Sequence, residues 1–74
     1  MGEKETVATR HASERIVNLD IDLTDLEKLI REGERIPEGK DKTRYRLRTK
    51  KGLLIAICIE TPEQITIITV MKRR

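Results

Sequence analysis

One tyrosine, one cysteine and one histidine stand in a chain of 74 residues that has no tryptophan and no phenylalanine. With Tyr45 as the sole aromatic, stacking a run of RNA bases on several aromatic side chains is excluded. A lone Cys58 rules out an in-chain disulfide framework and suits a reducing compartment, so a cytoplasmic location is expected. Neither a second histidine nor a second cysteine is available at ligand spacing, and no metal or cofactor is expected. The longest apolar run, Leu53 to Ile59, falls far short of the ~20 residues that span a bilayer, so no membrane partner is expected. The first residues carry no basic-then-apolar leader. Met-Gly-Glu-Lys-Glu-Thr fits the loose myristoylation pattern but has no basic cluster behind it, and reads as a solvated end. Nucleophile elbows, phosphate-cradling glycine loops and dinucleotide fingerprints are also missing.

What the chain does have is charge, 39% of its residues, and the charge is divided. Residues 1–38 carry ten acids against six bases, a balance of −4, whereas residues 39–74 carry ten bases against three acids, a balance of +7. That asymmetry points to a cationic face able to attract a polyanion or an acidic protein. The alternative is that the two halves neutralise each other within the fold or a dimer.

The length predicts one small domain with a thin core, since a chain of this size hides only about 60% of its unfolded surface. Residues 1–7 read as disordered, 8–33 as a helical hairpin and 34–74 as an antiparallel sheet. In the first helix Ala8, Ala12, Ile16 and Leu19 recur at helical spacing, and His11 and Arg15 sit one turn apart. Asn18 reads as its terminator. The second helix opens on a capping box, Thr24-Asp-Leu-Glu27, buries Leu23, Leu26, Leu29 and Ile30, and closes at Gly33 in an expected left-handed cap.

Around Ile36-Pro37 a short edge strand and a turn are expected. From Thr43 to Lys50 the pattern alternates, with Tyr45, Leu47 and Thr49 on one face and Arg44, Arg46, Arg48 and Lys50 on the other. Lys51-Gly52 turns the chain. Leu53–Ile59 is apolar at every position, as a central strand covered on both sides would be. Ile65–Met71 completes an antiparallel meander. The fold expected is therefore α+β, an N-terminal helical hairpin on one face of a three- to four-stranded antiparallel sheet. A core this small favours a twofold partner, and a homodimer is expected.

Residues two apart on a strand are separated by ~6.6 Å, close to the phosphate step of a nucleic acid, so the Arg44, Arg46, Arg48 and Lys50 row is a candidate phosphate ladder. Charged rows also keep a sheet face wet and resist edge aggregation. His11 is the one side chain that ordinarily titrates near neutrality, and with Arg15 it could move protons beside a phosphate. Exposed helix histidines also occur without any such role. Cys58, in the most apolar strand, reads as a small buried hydrophobe.

Thr9-Arg-His11-Ala12-Ser-Glu14-Arg15, Ile21, the Leu26 and Ile30 stripe, Gly33 and the closing Ile67-Ile68-Thr69-Val70 together resemble a family of small prokaryotic proteins. That family is known only as a domain of unknown function, with a His-Ala-x-Glu-Arg helix and an Ile-Thr-Val strand, and is similar to the RelE-like toxins. The resemblance implies two N-terminal helices against an antiparallel sheet and metal-independent endoribonuclease activity. His11, Arg15, Thr69 and Tyr45 would be its catalytic candidates, RNA its substrate, and an acidic antitoxin-like protein its partner. Leu19 stands where the family usually carries a second arginine. The alternatives are a non-catalytic nucleic-acid or protein-binding module using the basic sheet face, and a structural or assembly subunit. If the catalytic reading holds, His11, Arg15, Thr69 and one of Arg44, Arg46 or Arg48 line a single depression.

Overall fold

The computed structural model describes residues 4–74, so the Met1-Gly2 pattern lies outside the described residues. In chain order the elements are β1 (Glu5–Ala8), α1 (Arg10–Asn18), α2 (Leu23–Glu32), β2 (Glu34–Pro37), β3 (Lys42–Thr49), β4 (Gly52–Glu60) and β5 (Gln64–Arg73). They form a five-stranded sheet in the order β1-β5-β4-β3-β2. Strand β1 runs parallel to β5, and every other pair is antiparallel. None of the described helices is long and apolar enough to cross a membrane.

Two expectations fail here. The fold is α+β, but the helices follow a strand, so there is no N-terminal hairpin, and the sheet is mixed and has five strands. Residues 5–7, read as part of a disordered end, and Ala8, read as the start of the helical hairpin, form β1. Four residues that include one charge carry almost no period-2 signal. Their strand exists because β5 offers them an edge 59 residues further on, with Glu5 opposite Gln64 and Ala8 opposite Ile67. The helices also do not close on each other as a hairpin. Instead α1 packs on β5 and β1 while α2 packs on β3 and β4. Between them runs an apolar groove of about 820 Å³ whose lining includes Val17 and Leu23, exposed at 76% and 65%.

Local chemistry explains where each helix starts and stops. The Thr9 hydroxyl accepts from the Ala12 N–H at 3.1 Å and caps α1. Its far end is a Schellman turn, with Asp20 at φ +53° and the Ile21 N–H donating to the Ile16 carbonyl at 3.0 Å. Aspartate tolerates that conformation, so Asp20 rather than Asn18 turns the chain. Helix α2 begins two residues earlier than the Thr24 box suggests, because the Asp22 carboxylate accepts from the Thr24 N–H at 3.0 Å. Gly33 ends α2 in an extended conformation, φ −67°, and not as a left-handed cap. It is needed there for room, since a Cβ would overlap the Leu29 carbonyl and come within 2.8 Å of the Arg46 carbonyl.

The core lies on one side of the sheet. Ala12, Leu26 and Leu29 from the helices meet Tyr45, Leu54, Ala56, Cys58, Ile65, Ile67 and Val70. A bulge opposite Ile57/Cys58 leaves Ile68 as an extra residue, which shifts β5 so that both Ile67 and Val70 face this core. Ile36, Leu53, Ile55, Ile57, Ile59 and Met71 fall on the opposite, outer face, with Arg44, Arg46 and Arg48 beside them. No helix covers that face.

Candidate functional site

Strand β3 alternates as its sequence predicts, and this separates Tyr45 from the arginines. Tyr45 is buried on the helix side, where its hydroxyl donates to Glu60 Oε1 at 2.8 Å. Glu60 also receives Lys4 Nζ at 2.7 Å and Arg35 Nη2 at 3.1 Å. Burial by itself would raise the Glu60 carboxyl, but hydrogen bonds from Lys4, Tyr45 and Arg35 outweigh it and hold it down at about 2. Burial, and then the bond to Glu60, push the Tyr45 phenol above its ordinary range. The structure does not bring Tyr45 together with Arg44 or Arg46, which point from the other face. Cys58 is buried and its thiol pushed up to about 12 by burial, which closes it to thiolate chemistry at neutral pH.

The arginine row does not act as one ladder. Arg44 Nη2 is held by Glu38 at 2.8 Å and Arg46 Nη2 by Glu34 at 3.2 Å, carboxylates supplied by β2 and the turn after it. Arg44 Nε is buried without a hydrogen-bond partner, so this arm lies down along the sheet. Long stems of this kind cover apolar surface while their heads stay wet. Ile55, directly across from Arg46, is only 7% exposed although no helix lies over it.

Further along the same strand the pattern changes. Among the described residues, neither Arg48 nor Lys50 meets a carboxylate within 4 Å. The two-residue turn Lys50-Lys51 is fixed by the Thr49 hydroxyl, which accepts from the Lys51 N–H at 3.1 Å and donates to the Gly52 carbonyl at 2.9 Å. Leu54 pairs with Lys72, so β5 returns its basic end to this turn. The result is a shallow basin of about 620 Å³ lined by Arg48, Thr49, Lys50, Lys51, Gly52, Lys72 and Arg74. Five of those seven side chains are cations and none is acidic. A neighbouring crevice sets Asp20, Asp22 and Asp25 beside Lys51 and Lys72, which accounts for part of the division of charge.

His11, Arg15 and Thr69 lie elsewhere. Because β1 ends at Ala8, β5 has no strand on that edge beyond Ile67, and α1 starts alongside it with the Thr9 N–H on the Ile67 carbonyl at 3.0 Å. Arg15 Nε donates to the Val70 carbonyl at 3.2 Å and ties the helix to this edge. One turn earlier, on a neighbouring part of the helix surface, His11 is exposed. Thr69 is on the outer face, in one cross-strand row with Ile57 and Arg44, which puts Arg44 two strand spacings away, about 10 Å. The basic basin contains Arg48 but none of His11, Arg15 and Thr69.

Sequence reasoning singled out Arg48 and Lys50 but missed Lys51, Lys72, Arg74 and Glu60. The meander itself carried the signal for Lys72 and Arg74, since a third antiparallel strand must end beside the first turn. For Glu60 there was none, because its partners come from β1's approach, β2 and β3. Comparison with curated proteins and with solved structures finds no match. The span from residue 8 to residue 72, nearly the whole chain, matches the domain of unknown function DUF4258, and the chain belongs to that family.

Proposed function

We propose that this protein is a nucleic-acid-binding module that grips the phosphate backbone with the basic end of its sheet. The observation that carries this reading is the basin of five cations, Arg48, Lys50, Lys51, Lys72 and Arg74, with no aspartate or glutamate in its lining. Among the described residues none of the five meets a carboxylate within 4 Å, and cations so placed around a shallow concavity attract a polyanion and gain by releasing its counterions. No aromatic lines the basin, whose only uncharged lining residues are Thr49 and Gly52, so recognition is of charge and shape, without base readout. Arg44 and Arg46 do not take part, being spent on Glu38 and Glu34.

The test is fluorescence anisotropy with labelled mixed-sequence RNA and DNA over a salt series. If all five cations meet phosphates, the logarithmic slope on duplex DNA is about −4.5, at about 0.9 per contact. Replacing Lys50 and Lys51 by alanine should lower that slope by about 2 and weaken every sequence alike. Absence of binding at low salt, or binding that ignores this double variant, refutes the proposal.

A second reading, suggested by the likeness to RelE-like toxins, adds cleavage of bound RNA and an acidic antitoxin-like partner. It is favoured by Arg15 on the Val70 carbonyl, which ties the His11 helix to the strand bearing Thr69. Against it stands the wide separation of functions, with the arginine row and the buried Tyr45 on opposite faces. Incubating RNA with the wild-type chain and with His11→Ala and Arg15→Ala variants separates the two. Intact RNA removes cleavage and leaves binding untouched.

A further inference from the structure

We infer that the outer face of the sheet is covered by a second copy of this chain, packed sheet against sheet across a twofold axis. Strand β4 carries seven consecutive apolar residues, Leu53 to Ile59, a pattern that belongs to a strand buried on both sides. The helices cover only one side. Helix α2 and the core cluster lie on the side of Leu54, Ala56 and Cys58, with α1 on the same side over β5 and β1, while Leu53, Ile55, Ile57 and Ile59 face away from them. Met71, opposite Ile55, extends the apolar stripe onto β5. Ile55 is already buried by its neighbours but stands outside the core, so this face holds the beginnings of a second one.

Three features select another copy over a different partner. The stripe runs along β4, the middle strand of five, so a twofold axis in the plane between two stacked sheets lays stripe on stripe. The borders of the stripe are neutralised internally, Arg44 by Glu38 and Arg46 by Glu34, so the face does not demand a partner of one sign. Among the described residues, three of its cations meet no carboxylate within 4 Å, Arg48 and Arg73 flanking Leu53 at one end of β4 and Lys42 beside Ile59 at the other. A twofold running across the strands lays each Leu53 end over the partner's Ile59 end and holds the two Leu53 ends about 20 Å apart along the strands, at 3.3 Å per residue. This arrangement leaves each basic basin at an opposite end of the dimer.

The area fits a stable but modest association. At about 4.8 Å between strands and 3.3 Å per residue, five strands of these lengths present about 550 Å². Two copies stacked over the full face would bury at most about 1,100 Å², just above the ~1,000 Å² that a specific interface should clear.

Analytical ultracentrifugation of the full chain from 10 μM to 1 mM reads this directly. The expected result is a concentration-dependent shift from 8.6 kDa toward twice that mass. Ile57→Glu, at the centre of the stripe, should raise the dissociation constant at least a hundredfold. Thr69→Glu, at a position already polar on the same face, should raise it at least tenfold with the circular dichroism unchanged. A chain that stays monomeric at 1 mM overturns the inference. So does a dimer that survives both of these variants and is lost in the double variant Val17→Ser/Leu23→Ser, because the helix-side groove would then be the interface.

Discussion

Strand β4 begins and ends in charge, and the two ends are built differently. At Glu60 a single carboxylate collects Lys4, Arg35 and the Tyr45 hydroxyl. At Gly52 five cations crowd one basin with no aspartate or glutamate in its lining. Strand β3 runs between the same two ends and repeats the contrast within one row of side chains. Arg44 and Arg46 lie opposite β2, which supplies Glu34 directly and Glu38 from the turn that follows. Arg48 lies beyond Glu34, the first residue of β2, and among the described residues meets no carboxylate within 4 Å. Position relative to a four-residue edge strand, and not residue type, decides which arginine is spent on the fold.

The two ends also differ in what holds them, and this gives the largest expected effect. The basic end depends on backbone, since Gly52 has φ +132° and a Cβ there would run into the Arg73 carbonyl. Gly52→Ala should cost about 3 kcal/mol, from a conformation that side chains rarely adopt plus the overlap. Thermal unfolding should show this as a fall in Tm of about 15 °C, of similar size at pH 7 and pH 4.

The acidic end depends on ionisation, so its contribution must vanish with pH. The folded carboxyl of Glu60 sits at about 2 against an ordinary 4.5, lower in the folded state than in the unfolded one. Its stabilisation is therefore fully present above about pH 4.5 and is lost as pH falls from there toward 2. Glu60→Gln should cost of order 2 kcal/mol at pH 7 and almost nothing at pH 2. Urea unfolding at a series of pH values checks this, and a cost independent of pH would assign Glu60 a packing role only.

The smallest effect is the sharpest comparison. Arg44→Met should change stability by no more than about 0.5 kcal/mol, because a half-exposed ion pair contributes little and the apolar stem is retained. The same variant should leave the salt slope of nucleic-acid binding where it was. Arg48→Met should lower that slope by about 0.9 with stability unchanged. Equal slopes for the two variants would erase the distinction between the ends.

Much of this architecture is legible in the residues themselves. Helix α2 follows from the spacing of Leu26, Leu29 and Ile30, and β3 from the alternation of Tyr45 and Leu47 with the arginines. The seven apolar residues of β4 announce a central strand, and the third strand of the meander follows from the short turn at Thr61-Pro62-Glu63. These signals are local, arising from helix and strand periods and from turn residues acting within a few positions. What remained hidden is non-local. Strand β1 forms because the far end of the chain offers it an edge, and α1 settles there because Arg15 finds the Val70 carbonyl. Pairing between residues 34 and 46, or 38 and 44, separates two spent arginines from a free one, and no composition count contains that information. Glu60 acquires its three partners from three different segments. The sequence by itself determined which residues are apolar, which are charged and where the chain must turn. Only the tertiary structure decided which charges cancel, because cancellation depends on distances of 3–4 Å between residues that the chain keeps far apart.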